Sequence, residues 1–343
     1  MADAKRPVAL VTGSAGFIGY HVAQRLLADG WDLVGLDSHS DYYDVSLKQA
    51  REDRLTALPG FAARRGRLED PGLMMELFER HAPDIVVHLA AQAGVRHSIE
   101  QPRSYVEANL IGTFELLEAA RRHPPRHMLL ASTSSVYGAN TRMPYAETAK
   151  ADTQMSFYAA TKKANEAMAH SYAHLYDLPT TMFRFFTVYG PWGRPDMAPM
   201  KFIRAIRAGQ PIDIYNHGDM MRDFTYVGDL VEAIRRLVDA VPARAPGAGA
   251  PDAADSLSPV APFRIVNIGN AAPVRLMDFV AALEDALGRE AQKRFMDMQP
   301  GDVQATWADT ALLERLTGYR PATEIRDGVA KLAQWYDDYY PAG

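Results

Sequence analysis

Residues 8–37 read VALVTGSAGFIGYHVAQRLLADGWDLVGLD, and their grammar decides the fold class. Val8 to Val11 is a short apolar run rich in β-branched residues, the pattern of a buried strand. It feeds Thr12-Gly13-Ser14-Ala15-Gly16-Phe17-Ile18-Gly19, with glycines three apart. Ile18, Val22, Leu26 and Leu27 then recur at helical spacing, and Gly30 ends the helix. A second strand, Asp32 to Leu36, terminates in Asp37. Strand, glycine turn, helix, strand and acid form one continuous βαβ unit.

Each part has a chemical reason. Gly13 permits the tight turn, Gly16 lets the backbone approach a pyrophosphate, and Gly19 lets the helix pack against the sheet. The helix N-terminus carries unpaired N–H groups and a partial positive charge, which favours a phosphate. Asp37 stands where a carboxylate accepts hydrogen bonds from an adenosine ribose diol. Its charge would repel a 2′-phosphate, so the unit predicts NAD rather than NADP as cofactor.

The 343 residues are 48% hydrophobic, enough for a large core in one bilobed unit or two domains. A net charge of −5 and the lack of a basic stripe argue against a nucleic-acid partner. The absence of cysteine excludes disulfides, thiolate metal sites and a cysteine nucleophile, and no metal is expected. No secretory apolar region precedes the first strand, and no apolar run reaches the roughly 20 residues of a membrane span. A cytoplasmic protein with no membrane partner is the expectation.

Beyond Asp37 the chain predicts a helix over 45–58, a strand over 61–67, a helix over 72–80 and a buried strand over 84–89. That last strand ends in Ala90-Ala91-Gln92-Ala93-Gly94, small residues that leave room for a cofactor at a strand's carboxyl end. Tyr105 to Arg121 reads as a helix that is apolar or small nearly all round, a surplus that points to a second subunit. A strand over 127–132 runs into Thr133-Ser134-Ser135, and a long alanine-rich helix over 157–176 follows. This alternation specifies an α/β fold with a Rossmann-type doubly wound parallel sheet over residues 1–189. From 190 the elements shorten, and 190–343 is read mainly as a smaller C-terminal substrate-binding lobe. Segments at about 223–240 and 263–270 are expected to return to the main sheet. The Ala/Pro/Gly-rich stretch 241–262 reads as a mobile surface loop. A strand over 264–268 and helices over 276–287, 310–316 and 325–340 complete the chain.

Tyr158-Ala159-Ala160-Thr161-Lys162 places a phenol and an amine four apart on one helix face. An ammonium close to a phenol favours the phenolate and lowers its pKa from about 10. Such a tyrosine can take a hydroxyl proton near neutral pH while hydride leaves the same carbon. Thr133, 25 residues earlier, carries a hydroxyl that can hold the same substrate oxygen.

The motifs TGxxGxxG, HLAAQ, STSSVYG and YxxxK resemble those of the extended short-chain dehydrogenase/reductase family of nucleotide-sugar enzymes, the NAD-dependent epimerases and dehydratases. DYYDVSLKQAR, HLAAQAGVRHS, YAATKKANE, RFFTVYGPWGRPDMA, RDFTYVGD and MQPGDVQATWAD resemble the UDP-glucuronate 4-epimerases in particular, over nearly the whole chain. The resemblance implies that Gly13, Ala15, Gly16, Phe17, Ile18, Gly19, Asp37, Leu68, Leu89, Ala90, Ala91, Gln92 and Phe185 bind NAD. It makes Tyr158 the catalytic base, Lys162 its activator and cofactor ribose ligand, and Thr133 the hydroxyl partner. It assigns Thr187, Arg222 and Asp302 to the UDP-sugar, and a guanidinium such as that of Arg222 suits a pyrophosphate. Arg194 is the candidate for the glucuronate carboxylate, Arg96 the second, with Ser134 and Ser135 as further polar contacts. A homodimer is implied as well.

Two departures from the family pattern stand out. Gly66-Arg67 replaces the usual Gly-Asp whose aspartate touches adenine, so that the adenine either lacks this partner or takes Glu69 or Asp70 in its place. Ser38-His39-Ser40 stands where relatives often have asparagines. The implied reaction is reversible C4 epimerisation through a 4-keto sugar with tightly bound NAD. The alternatives are UDP-glucuronate decarboxylation, epimerisation of neutral UDP-glucose and a non-catalytic NAD-sensing module. Sister decarboxylases have Thr-Ser-Glu and sister dehydratases Thr-Asp-Glu where this chain has Thr133-Ser134-Ser135.

Overall fold

Strand and helix alternate from the first apolar run as the periodicity predicts. In this computed structural model, which describes residues 6–244, 254–299 and 303–341, the series opens with β1 (Val8–Thr12), α1 (Phe17–Ala28), β2 (Asp32–Asp37) and α2 (Val45–Thr56). It continues through β3 (Phe61–Arg65), α3 (Leu73–His81) and β4 (Ile85–His88). Two short helices follow, α4 (His97–Glu100) and α5 (Pro102–Tyr105), then a π-helical turn Val106–Ile111 that runs into α6 (Gly112–Arg122). The regular helix predicted from Tyr105 to Arg121 is therefore interrupted. A π turn takes in one residue more than an α turn, and here it brings Asn109 inward for a contact described below.

Next come β5 (His127–Thr133), α7 (Phe157–Tyr176), β6 (Thr180–Phe185), β7 (Thr187–Tyr189), α8 (Ala198–Arg207) and β8 (Ile212–Ile214). The chain ends with β9 (Met221–Tyr226), α9 (Val227–Leu237), β10 (Phe263–Ile268), β11 (Pro273–Arg275), α10 (Leu276–Leu287), β12 (Lys293–Phe295), β13 (Ala305–Thr306), α11 (Ala311–Thr317) and α12 (Ile325–Tyr339).

Seven strands form one parallel sheet in the order β10-β6-β5-β4-β1-β2-β3. The order reverses between β1 and β4, the switch point at which open α/β sheets bind ligands. Apolar side chains cover both faces. Val22, Leu26, Leu230, Ile234 and Leu312 of α1, α9 and α11 bury one face. Leu77, Leu116, Leu117 and Ala169 of α3, α6 and α7 bury the other. The second lobe has its own core of α8, α10 and α12, where Phe224 and Phe279 stack with ring centroids 4.3 Å apart. Its sheets are small: β11-β9-β13, with β7 also on β9, and β12-β8.

Within the stretch 241–262, residues 245–253 lie outside the described residues. The part from Asp255 onward differs from the free loop that its composition suggests. Asp255 pairs with Arg264 at 3.0 Å, Ser258 Oγ bonds His170 Nε2 at 2.9 Å, and Ala261 is fully buried. Among the described residues no helix is long and apolar enough to cross a membrane.

Candidate active site

The glycine turn, the strand ends on both sides of the switch point and the first residues of the second lobe enclose a cavity of about 450 Å³. Gly13 has φ +74°, and a Cβ there would sit 2.8 Å from the Ala90 amide nitrogen. A Cβ on Gly19 would fall on the Gly13 carbonyl oxygen. Backbone therefore packs on backbone, and Gly13, Gly16 and Gly19 leave the wall bare of side chains at the start of α1, with Phe17 and Ile18 beside them. Asp37 is buried at the end of β2, accepting from the amides of Ala15 (3.0 Å) and His39 (2.8 Å). Leu68, Leu89, Ala90, Ala91, Gln92 and Phe185 line the same cavity. A bare turn at a helix N-terminus, with a carboxylate at the next strand's end, fits a dinucleotide.

The loop after β4 is held from below. Asn109 Oδ1 accepts the Gln92 amide at 2.8 Å, and its Nδ2 donates to Gln92 O and Thr161 Oγ1, both at 3.0 Å. The π turn thus ties the cofactor wall to α7. At the far end, Gly66, Arg67, Leu68 and Glu69 line the wall. Asp70 is occupied in accepting the Arg67 amide at 2.8 Å, while Glu69 pairs with the Arg67 side chain at 2.7 Å. Of the two carboxylates that could replace the missing aspartate, Glu69 alone faces the cavity, and it does so beside a cation.

Tyr158 and Lys162 project into the cavity one turn apart on α7, with Thr133 at the end of β5 facing them. The expected lowering of the Tyr158 pKa is not what the protein alone produces. Burial raises it, opposed by the Thr133 hydroxyl and by the Arg194 charge. Burial also weakens Lys162, to about 8, against the pull of Glu166. A buried ammonium and a buried phenol each disfavour their charged form, so the phenolate needs a further positive charge in the cavity. Behind Lys162, Glu166 accepts from Ser132 Oγ (2.7 Å) and from Arg184 Nε and Nη2 (2.9 Å each). These buried bonds lock α7 to β5 and β6.

Thr133, Ser134, Ser135, Thr187 and Arg194 line the side nearer the second lobe, and Ser134 and Ser135 also face an adjoining cavity of about 70 Å³ with Tyr145 and Thr306. Arg194 donates to Asp196 at 3.1 and 2.6 Å.

Other expected residues lie elsewhere. Ala15 is fully buried inside the turn, its amide spent on Asp37 and its carbonyl on Arg51. Arg222 turns away from the cavity because carbonyls at the short β9–β13 pairing need donors. Its Nη1 bonds Met221 O (2.9 Å) and Gln304 O (3.0 Å), and its Nη2 bonds Val303 O (2.6 Å). Arg96 lies over the Tyr215 ring, 4.9 Å from its centre, rather than on the cavity wall. Asp302 lies outside the described residues.

The structure adds wall residues that sequence reasoning did not assign: Ser38, Ser40, Tyr42, Tyr43 and Lys48. Lys48 Nζ donates to Ser40 O at 2.6 Å and lies 4.4 Å from the Tyr43 ring centre. The signal was the DYYDVSLK run at 41–48, whose aromatics and lysine come soon after Asp37.

The model of the NAD dependent epimerase/dehydratase family matches residues 9–248. A probable UDP-glucuronate 4-epimerase of Rhizobium meliloti (strain 1021) is 53% identical over 331 residues, covering 96% of this chain and 97% of its own. A UDP-glucuronate 4-epimerase of Arabidopsis thaliana is 44% identical over 97% of this chain and 77% of its own. Among solved structures, UDP-glucuronic acid 4-epimerase from Bacillus cereus, in complex with UDP-glucuronic acid and NAD, is similar with a TM-score of 0.86. It is 30% identical and covers 97% of this chain and all of that one.

Proposed function

The chain belongs to the NAD dependent epimerase/dehydratase family, and from that premise we propose that it interconverts UDP-glucuronate and UDP-galacturonate by inverting C4. NAD is the cofactor; Gly13, Gly16, Gly19 and Asp37 would hold it, and when bound it would supply a reversible hydride acceptor for C4. The observation that carries this reading is the convergence of Tyr158, Lys162, Thr133 and Arg194 on the cavity that begins at the glycine turn.

The chain's own groups supply the rest. Tyr158 takes the proton of the sugar 4-hydroxyl and later gives it back, so its charge must be balanced in both directions. Lys162, weakened by its own burial, supplies only part of that balance and would hold the cofactor ribose; the positive cofactor would supply the remaining charge. Thr133 holds O4 so that the phenol and the C4–H bond address one carbon. Ser134 and Ser135 are small polar groups, able to serve the ring in either orientation. Arg194 holds the C5 carboxylate and so distinguishes an acidic sugar from UDP-glucose. Thr187 lines the same wall; the family resemblance assigns Arg222 and Asp302 to the UDP end, which for Arg222 requires it to leave the carbonyls of Met221, Val303 and Gln304.

The exposed apolar faces of α6 and α7, including Phe114, Phe157, Leu175 and Tyr176, with Ile111 of the π turn beside them, support a homodimer with these helices paired across a twofold axis. Incubation with UDP-glucuronate, followed by chromatography that resolves UDP-galacturonate from UDP-glucuronate and both from neutral UDP-sugars, tests the activity. UDP-galacturonate as the main product is expected. A neutral UDP-pentose as the main product would make the chain a decarboxylase.

A further inference from the structure

Asp196 and Tyr42 surround the arginine at the cavity wall in a way that catalysis alone does not require. Asp196 takes one edge of the Arg194 guanidinium, Nε at 3.1 Å and Nη2 at 2.6 Å. The Tyr42 hydroxyl donates to the same carboxylate at 3.3 Å, and the Tyr42 ring lies 5.6 Å from the guanidinium carbon. The backbone just before Arg194 is fixed too. Arg51, itself fully buried, donates from Nη2 to Trp192 O at 2.6 Å and from Nη1 to Ala15 O at 2.9 Å in the glycine turn.

We propose that Asp196, assisted by Tyr42, is a positioning residue that orients Arg194 toward the glucuronate carboxylate and thereby decides whether the 4-keto intermediate keeps its carboxyl carbon. The proposal rests on the epimerase reading and on Arg194 as carboxylate ligand. A guanidinium has five N–H donors in a fixed fork. Asp196 uses two on one edge, and three remain for a second carboxylate. One cation shared between two carboxylates holds the substrate firmly in direction but weakly in charge. That suits a ring that must turn over between the two hydride transfers.

The chemistry at stake is balanced without any added reagent. In the 4-keto intermediate the carboxylate is β to the carbonyl. If the C5–carboxylate bond swings parallel to the carbonyl π system, it breaks and CO2 leaves. Its electron pair moves into the C5–C4 bond and on to the C4 oxygen as an enolate, and solvent supplies a proton to C5. The hydride taken in the first half-reaction then returns to C4, and the product is a UDP-pentose. An arginine free to change rotamer lets the carboxylate reach that alignment; an arginine held by Asp196 does not.

The test compares Asp196→Asn, Asp196→Ala, Tyr42→Phe and Arg194→Ala with the parent, each checked for its thermal transition and retained NAD. The measurement is the ratio of UDP-pentose to UDP-galacturonate, by chromatography that resolves the two C4 epimers followed by mass spectrometry. The ratio is expected to rise about tenfold or more in Asp196→Ala, the fold-change that one charge-assisted hydrogen bond represents. Smaller rises are expected in Asp196→Asn and Tyr42→Phe. Adding Asp196→Asn to Arg194→Ala should change the ratio no further, because Asp196 acts through Arg194. A raised ratio in Arg194→Ala with parental ratios in folded Asp196 and Tyr42 variants overturns the proposal and leaves the epimerase reading intact. Parental ratios in all four variants remove Arg194 from its role and the proposal with it. A parent that makes no UDP-galacturonate overturns the epimerase reading itself. Loss of folding in the Asp196 variants leaves Tyr42→Phe to decide.

Discussion

Tyr158 owes no acidity to its lysine within the protein alone, because burial works against both partners of the pair. In the proposed mechanism its competence as a base would come with the loaded enzyme, where a positive nicotinamide would add the missing charge. Tyr158→Phe should therefore keep the fold and the bound NAD but lose turnover by about 10²–10⁴-fold, the usual worth of a general base. Turnover within tenfold of the parent would sink the assignment. Lys162→Ala should be nearly inactive as well and also hold NAD less tightly, a difference visible when the cofactor is dialysed out. Another buried acid leaves a mark on stability. Glu147 accepts the Asn267 amide at 2.8 Å, and burial raises its pKa to about 7. A raised folded pKa means that the contribution is fully present below about 4.5 and is lost as pH rises through 7. Glu147→Gln should thus stabilise the protein relative to the parent more at pH 8 than at pH 5, by up to about 3 kcal/mol. Thermal melts across that range measure it, and a constant difference would count against the shift.

The π turn shows what an element can do that its periodicity does not announce. Between α5 and α6 it presents Asn109 to both backbone groups of Gln92, in the loop that lines the cofactor cavity. A regular helix would carry that amide around to another face. Replacing it by alanine leaves a buried N–H and C=O without their partner, at a cost of about 1–3 kcal/mol each. Asn109→Ala should therefore loosen the 90–94 loop and weaken NAD retention while Tyr158 and Thr133 stay in place. Titration of the NAD-stripped variant with NAD, read by quenching of tryptophan fluorescence, checks this. Affinity equal to the parent's would mean that the clamp only completes the fold.

At the scale of the whole molecule, the two lobes meet at the cavity and share its wall. Trp192 shows the join: it begins the excursion toward the second lobe, yet its ring packs on Tyr20 of α1 and on Trp335 and Tyr339 of α12. Arg51 completes the junction from beneath. The outer face of α6 and α7 is open to solvent instead. Leu175 is 63% exposed and Phe114 44%, large apolar groups of the kind that oligomer interfaces bury. Phe114→Glu combined with Leu175→Glu should convert the proposed dimer to a monomer, measured by light scattering at micromolar concentration. A parent that is already monomeric would count against the dimer.

The sequence alone determined what rests on local spacing. The glycine turn, Asp37, the alternation of strands and helices, and the YxxxK pair follow from neighbours within a turn or a strand, where periodicity and backbone freedom act directly. It was also enough to place Thr133, Ser134 and Ser135 at the end of a strand. Only the tertiary structure decided where the long cationic side chains go. Arg222 turned to backbone carbonyls, Arg96 to a tyrosine face and Arg194 to Asp196. An arginine reaches far enough to choose among several acceptors, and that choice depends on unsatisfied groups brought close by elements distant in sequence. The same holds for the direction of the Tyr158 shift, since desolvation is a property of the assembled cavity and of no residue within it.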